Sequence, residues 1–265
     1  IRGVDGFAKV CAFIRRFRAS GHAGLSAITT FTRYNAAELD AIASLVRELD
    51  VDWQVQFAHD VSSRAGTDMM LSPAEFGAIC ARVQALRESW RDAEGCSRIV
   101  VMDDFGYFPL DPAYAELHQW EGCQAGRRVL GIRANGDVLG CLSLGDPFVE
   151  GNLRRRPLAE LWHDPTSFAA LREREQRLVG RCASCPKASQ CRAGCPCMAY
   201  ASTGHIFENH YCLRRLECDA IVAELLHHDA PADEQPERRR TQLPESSREV
   251  GTTSATLASA EGERP

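Results

Sequence analysis

The cysteines of this chain are concentrated in its second half, and their spacing limits what that half can fold into. The chain has 12 cysteines among 265 residues. Proteins use thiolates to bind zinc and iron–sulfur clusters, and a C-x2-C turn lets two sulfurs converge on one metal centre. Seven of the cysteines follow the order two, then four close together, then one: Cys123, Cys141, Cys182, Cys185, Cys191, Cys195 and Cys212. The framework therefore predicts a metal-binding region.

Disulfide bonds are the other common use of many cysteines. They are typical of small secreted domains, whereas this chain is long, has no export signal and clusters its cysteines towards one end. A reducing compartment, the cytoplasm, suits free thiols that bind metal. Seven thiolates are too many for one four-ligand zinc site, and they are one fewer than the eight that two such sites need. Two zinc sites, or clusters that include a three-cysteine ligand set, both remain open at this point.

The composition is that of an ordinary globular protein, with 45% hydrophobic and 25% charged residues and a formal net charge of −5. The charge is mild, and no basic stripe with interleaved aromatic residues occurs, so we expect no nucleic-acid partner. No run of 18 apolar residues occurs either, so we expect no membrane-spanning helix.

The first hundred residues alternate between strand-like and helix-like patterns. Asn35 and Glu38 suggest one helix cap, and Ser72-Pro73-Ala74-Glu75 is a strong start for another helix. Strand and helix patterns that alternate at this spacing predict βαβ units and a parallel sheet. The predicted helices cover 5–20, 35–49 and 72–90, and the predicted strands cover 25–31, 53–58 and 98–102. Three strands are less than a whole barrel and the first residue is not Met, so we expect the chain to begin inside a longer protein.

The character of the chain changes near residue 105, where Gly, Pro, Asp and Cys become frequent. Asn135-Gly136 is a hairpin turn signal between strand-like runs at 129–133 and 138–142. Short helical patterns follow at 158–162 and 164–178. The end of the chain is polar and poor in large apolar residues, which predicts disorder. The predicted domains are therefore 1–110, 111–225 and a disordered tail, 226–265.

The cysteine pattern C-x(9–15)-G-x4-C, gap, C-x2-C-x5-C-x3-C, gap, C resembles the seven-cysteine motif of the SPASM domain. That domain is the C-terminal extension of radical S-adenosylmethionine (SAM) enzymes that modify peptides and proteins. The flanking sequences at 135–138, 150–153 and 158–162 match as well, and residues 25–60 resemble the later strands of a radical SAM barrel. The resemblance implies an α/β fold: a partial (β/α) radical SAM barrel, then a cysteine-rich SPASM domain with a β-hairpin and short helices. It also favours iron over zinc.

The resemblance implies two auxiliary [4Fe–4S] clusters with interleaved ligands. The first set is Cys123, Cys141 and Cys195, and the second set is Cys182, Cys185, Cys191 and Cys212. The fourth position of the first cluster is then open, taken by substrate, or filled by a thiolate such as Cys197. The remaining cysteines are expected to be small buried apolar residues: Cys11, Cys80, Cys96 and Cys218.

Radical SAM chemistry needs a third [4Fe–4S] cluster, held by a C-x3-C-x2-C loop that binds SAM. This spacing is absent, because Cys191 and Cys195 are followed three residues on by Met198. We therefore expect this chain alone not to cleave SAM. The intact protein is expected to mature a ribosomally made peptide or protein by hydrogen abstraction with a 5′-deoxyadenosyl radical, giving a cross-link, a thioether or an epimer. An electron donor such as a flavodoxin or ferredoxin is the second implied partner.

Side chains at the carboxyl ends of barrel strands face the active site. For SAM or substrate these are expected to be Thr30, Gln54 and Gln56, with Thr29 and His59 beside them. No catalytic residue is identified. Leu142 follows the hairpin cysteine where sulfatase-maturing members carry an aspartate base, which disfavours that activity. Two functions of other classes stay open: a non-catalytic electron-transfer or peptide-binding module, and a zinc-binding interaction domain.

Overall fold

The computed structural model describes residues 5–21, 24–59, 69–91, 98–101, 103–105 and 122–228. Within these ranges the helices are α1 (Gly6–Ala19), α2 (Leu39–Glu48), α3 (Pro73–Ser89), α4 (Leu158–His163), α5 (Ala169–Arg172), α6 (Gly180–Ala183), α7 (Ala188–Cys191), α8 (Pro196–Thr203) and α9 (Leu213–His228). The strands are β1 (Ser26–Phe31), β2 (Asp52–Phe57), β3 (Ile99–Val101), β4 (Gly131–Ile132), β5 (Asp137–Leu139) and β6 (Val149–Asn152).

The first sheet is parallel and has the order β1-β2-β3. Burial alternates along its central strand, β2, as expected when one face of a sheet is packed against the core. Trp53, Val55 and Phe57 are buried, while Gln54 and Gln56 are only partly buried. The buried face packs under helices whose apolar stripes repeat every three to four residues. Parallel pairing confirms the βαβ prediction and the α/β fold class.

Helix α3 begins where the sequence predicts, because Ser72 and Glu75 cap it reciprocally. The backbone N–H of Glu75 donates to Ser72 Oγ (3.2 Å), and the backbone N–H of Ser72 donates to Glu75 Oε2 (2.7 Å). Pro73 occupies the first helical position, where a missing N–H costs nothing. The hydrogen bonds from Ser72 also hold the pKa of Glu75 below its usual value.

The second sheet is antiparallel and has the order β4-β5-β6. Gly136 turns the β4–β5 hairpin at a positive φ of 92°, as the Asn-Gly signal predicts. The side-chain amide of Asn152 on β6 donates to the Asn135 carbonyl (3.2 Å) and to Asp137 (2.8 Å). The third strand is thereby tied to the turn, although its sequence gives no strand signal.

Three local predictions differ from the structure. Asn35 does not cap α2; its Oδ1 instead accepts the backbone N–H of Thr32 at 2.7 Å, and a 3-10 turn precedes the helix. Phe7 and Val10, which the helical period of the predicted helix 5–20 places on one face with Cys11 and Ile14, are 71% and 52% exposed, whereas Cys11 and Ile14 are buried. The predicted helix 164–178 is broken, because Phe168 adopts a left-handed conformation and only α5 and a 3-10 turn form.

The large apolar core includes residues from both the parallel-sheet part and the cysteine-rich part of the chain. Met198 of α8, Tyr211 and Leu213 are buried in the same cluster as Phe31, Trp53 and Phe76. The Tyr211 hydroxyl donates to the Leu71 carbonyl at 2.6 Å, and its ring packs edge-on against Phe76. These contacts fix the position of residues 198–213 relative to the parallel sheet.

Residues 1–224 form one compact unit, and residues 225–265 form a second. In the second unit the structure describes only the final turn of α9. The predicted disordered tail, 226–265, otherwise lies outside the described residues. None of the described helices combines the length and the apolar character needed to cross a membrane.

We expect Ser72→Ala to lower the free energy of unfolding by about 1 kcal/mol, because the substitution removes the hydroxyl that caps α3. Urea unfolding of the anaerobic chain, followed by circular dichroism, measures the change. Ser89→Ala is the matched control, since the Ser89 hydroxyl bonds only the Leu86 carbonyl at the far end of the same helix. An equal effect of both substitutions would contradict the capping role.

Candidate metal centres

One group of cysteines surrounds a cavity of about 340 Å³. Cys182 lies in α6, Cys191 ends α7, Cys185 lies between these helices, and Cys212 directly precedes α9. All four residues are half-buried. Two short helices, the turn between them and the residue before α9 therefore bring together the four residues that the resemblance assigns to the second cluster.

Backbone N–H groups support the thiols of this group. The N–H of Asn209 donates to Cys182, and the N–H of Arg215, in the first turn of α9, donates to Cys212. Burial nevertheless dominates, and it raises the pKa of Cys212 to about 12 and the pKa of Cys182 above its usual value. A raised pKa favours the neutral thiol at Cys182 and Cys212, and metal coordination is what deprotonates such a group.

The wall of the cavity also contains residues that the sequence did not single out. Cys218 lies on this wall and is partly accessible, whereas it was expected to be a buried apolar residue. Arg181 and Asp219 form an ion pair beside it. The separation of Cys218 from Cys212 along the sequence did not predict this position. The two residues reach one cavity only because α9 is helical. Cys11 and Cys80 are buried as expected, and Cys96 lies outside the described residues.

The other predicted ligands, Cys123, Cys141 and Cys195, pack on a second apolar cluster that includes Leu139, Leu144 and Ile206. Two glycines permit the close approach of their chain segments. A Cβ at Gly140 would lie 3.1 Å from the backbone nitrogen of Gly126, so the hairpin carrying Cys141 lies directly against the segment carrying Cys123. A Cβ at Gly122 would lie 2.5 Å from the Gln190 carbonyl, so Cys123 also adjoins the segment that carries Cys191 and Cys195.

Cys197 lies within this second group and is only 1% exposed. The neighbouring Cys197 thiol lowers the pKa of Cys141 to about 6, with help from the backbone N–H groups of Ser143 and Leu144. The neighbouring thiols of Cys141 and Cys195, together with burial, raise the pKa of Cys197.

A left-handed segment separates the two groups of thiols. Arg192, Ala193 and Gly194 have φ values of 52°, 62° and 69°, so the chain between Cys191 and Cys195 turns in the left-handed sense. The buried Arg174 guanidinium donates to the carbonyls of Ala193 (3.2 Å), Gly194 (2.7 Å) and Ile206. Cys191 consequently faces the 340 Å³ cavity, while Cys195 joins Cys123, Cys141 and Cys197.

The residues expected to face SAM or substrate lie on the parallel sheet. Thr30 aligns with Gln56 across β1 and β2, and Gln56 Nε2 donates to Thr30 Oγ1 at 2.8 Å. Gln54 lies two residues earlier on the same face of β2. Thr29 lies on the opposite, core-facing side, where its hydroxyl accepts the indole N–H of Trp53 at 2.8 Å. The role of the Thr30, Gln54 and Gln56 face stays a prediction.

The donor set fits iron–sulfur clusters by its chemistry, because eight thiols fall into two groups of four, with Cys218 as a further thiol on the wall of the cavity. In the described part of the chain, no three Cys, His, Asp or Glu side chains converge as the ligands of a single ion would. The thiols of the first-described group instead border a space large enough for a cluster of several atoms. The assignment of individual ligands stays a prediction.

Comparison with known proteins identifies the cysteine-rich part. Residues 123–186 match the family model for SPASM, an iron–sulfur cluster-binding domain. The chain is 30% identical over 200 residues to the mycofactocin maturase MftC of Mycobacterium tuberculosis, covering 74% of this chain and 48% of that protein. It is 29% identical over 168 residues to the PqqA peptide cyclase of Methylocella silvestris, covering 62% of this chain and 41% of that protein. The chain thus spans about half the length of the curated relatives it matches.

A solved structure supports the same fold. The anSMEcpe structure with bound AdoMet superposes with a TM-score of 0.56 at 16% identity, covering 84% of this chain and 60% of that one. A likeness at this identity shows the fold, a partial β/α barrel joined to a cysteine-rich domain. Together with the cysteine framework and the sequence relatives, these observations establish that the chain belongs to the radical SAM/SPASM family.

Proposed function

We propose that this chain is part of a maturase that modifies a ribosomally made peptide or protein, and that residues 111–225 hold two auxiliary [4Fe–4S] clusters for it. The observation that carries the proposal is the division of the cysteines into two groups, with Cys191 and Cys195 on opposite sides of a left-handed turn. The names of the relatives, a mycofactocin maturase and a PqqA peptide cyclase, support a peptide substrate.

Each cluster would be held by thiolates from separate segments of the chain. Cys123, Cys141 and Cys195 would bind the first, and Cys182, Cys185, Cys191 and Cys212 would bind the second. Bound clusters supply one-electron transfer at a potential that depends on ligands, hydrogen bonds and burial. The N–H groups of Ser143, Leu144, Asn209 and Arg215 donate to ligand sulfurs, which withdraws charge from them and favours the reduced state.

In the intact protein, residues 1–110 would contribute part of the barrel that binds SAM and substrate. Thr30, Gln54 and Gln56 form the polar face of the sheet on which such a ligand would lie. Hydrogen abstraction by a 5′-deoxyadenosyl radical would give a peptide radical, and loss of one electron and one proton from that radical would complete a cross-link or thioether. An auxiliary cluster would accept the electron, and a flavodoxin or ferredoxin would supply the electron that begins each cycle.

Sulfatase maturation is not favoured by the residue that follows the hairpin cysteine. Leu142 is 57% exposed and lies against Gly131 of β4. An aliphatic side chain at this position cannot accept a proton from a substrate, as a carboxylate would.

We expect the anaerobically reconstituted chain to bind about eight iron and about eight sulfide ions. The double variant Cys182→Ala, Cys185→Ala should retain about half of them, and so should Cys123→Ala, Cys141→Ala, but the surviving clusters should differ. Cys191→Ala should resemble the first variant and Cys195→Ala the second, although these two residues are only four apart. Iron and sulfide analysis and electron paramagnetic resonance (EPR) of the reduced proteins measure this.

Cys80→Ala is the matched control, because Cys80 is fully buried in the core of the other part of the chain and should not affect iron content. A protein that takes up only zinc would contradict the cluster proposal. Loss of the same cluster in Cys191→Ala and Cys195→Ala would contradict the interleaved ligation.

We expect the intact protein to cleave SAM under reducing, anaerobic conditions and to change the mass of a peptide encoded beside its gene. The Cys182→Ala, Cys185→Ala change should abolish the peptide product while 5′-deoxyadenosine still forms, because the auxiliary cluster acts after the radical is made. Liquid chromatography with mass spectrometry measures both products. An intact protein that holds its clusters but never cleaves SAM would instead be an electron-transfer or peptide-binding protein.

A further inference from the structure

The second group of thiols, which packs around Leu139 and Leu144, contains one more cysteine than the seven-cysteine framework provides. Among the described residues, four cysteines pack on the apolar cluster around Leu139 and Leu144: Cys123, Cys141, Cys195 and Cys197. A [4Fe–4S] cluster is held by four cysteines when no iron is left open. The framework alone gives the first cluster three, so the identity of its fourth ligand depends on what Cys197 does.

Cys197 is held close to two of the predicted ligands. It shares one apolar cluster with Cys141, which comes from the hairpin, and with Cys195, the residue before α8. Cys197 is 1% exposed and belongs to the same apolar cluster as both. Its sulfur thus lies among the predicted ligands and away from solvent.

The start of α8 holds Cys195 and Cys197 in a fixed relation. Cys195 is the N-cap, Pro196 is the first helical residue with its restricted φ, and the Ala199 N–H donates to the Cys195 carbonyl at 3.0 Å. Met198 and Ala199 are fully buried, so the first turn is anchored in the protein core. Two thiols from one anchored turn can therefore hold a cluster without further ordering of the chain.

A purely apolar role accounts less well for Cys197. Cys80, in the larger core, lies apart from the other thiols and directs its own thiol to the Phe105 carbonyl at 3.7 Å. Cys197 instead lies in the one apolar cluster against which three predicted ligands, Cys123, Cys141 and Cys195, also pack. No cysteine occurs between residues 97 and 122, so the segment before Cys123 supplies no competing thiolate close in sequence.

We propose that Cys197 is the fourth ligand of the first auxiliary cluster, so that this cluster has no open iron. The inference rests on the proposed two-cluster function. It assigns the first cluster to electron transfer and excludes direct coordination of the peptide to its iron. With Cys197 included, each group supplies four protein thiolates.

The test compares Cys197→Ala and Cys197→Ser with the unaltered reconstituted chain. A [4Fe–4S]²⁺ cluster with an open iron loses that iron as Fe²⁺ after one-electron oxidation by ferricyanide and leaves a [3Fe–4S]⁺ cluster. We expect this EPR signal in Cys197→Ala and little of it in the unaltered chain. Added cyanide should change the EPR spectrum of reduced Cys197→Ala only. Cys197→Ser, which is nearly isosteric, should load the cluster with an altered spectrum, because an oxygen ligand replaces sulfur.

Matched variants separate the possible outcomes. Cys80→Ala and Cys96→Ala should behave like the unaltered chain; a [3Fe–4S] signal that appears in Cys96→Ala and not in Cys197→Ala would overturn the assignment. A cyanide-sensitive spectrum in the unaltered chain would also overturn the assignment. This second test does not depend on whether Cys197→Ala folds. If the unaltered chain binds no iron, the proposed function itself fails. If it binds about eight iron ions and Cys197→Ala and Cys197→Ser change nothing, only this inference fails.

Discussion

The hydrogen bonds from Arg174 to the left-handed turn are the interaction on which the arrangement of thiols depends. Arg192 and Ala193 are not glycines, and the left-handed conformation costs roughly 1–2 kcal/mol for each such residue. Hydrogen bonds from a charged donor contribute about 1.5–3 kcal/mol each, and the buried Arg174 donates to two carbonyls of the turn, those of Ala193 and Gly194. These bonds offset the conformational cost. Without the turn, Cys191 and Cys195 could not face different groups of thiols.

The cysteine-rich part is also fixed to the parallel-sheet part, because the two share one apolar core. Helix α8 begins among the thiols and buries Met198 one residue after Cys197, in the same cluster as Trp53 and Phe76. Tyr211, directly before Cys212, anchors the other group through its hydroxyl bond to the Leu71 carbonyl. Each group of thiols therefore has a neighbour in the large core. A shift of the sheet would therefore be felt at both groups of thiols.

The sequence was informative where a local rule decides the structure. Ser72 and Glu75 specify the start of α3 within four residues, and Asn135-Gly136 specifies a hairpin. The division of the cysteines into two groups came from the resemblance to the SPASM motif, because spacing alone left two zinc sites open and Cys191 and Cys195, only four residues apart, join different groups. Long-range contacts were not predictable: Arg174 reads as one of several arginines in a polar segment, yet it is 3% exposed. The left-handed turn was hidden too, since only one of its three residues is a glycine.

The position of Arg174 also bears on how the proposed clusters would share electrons. Its guanidinium is close enough to interact with Cys123 and Cys195 on one side and with Cys191 and Cys182 on the other. A [4Fe–4S] cluster with four thiolates becomes more negative on reduction, and a fixed cation in a medium of low dielectric constant stabilises the more negative state. Because Arg174 lies between the groups, it would favour reduction of both.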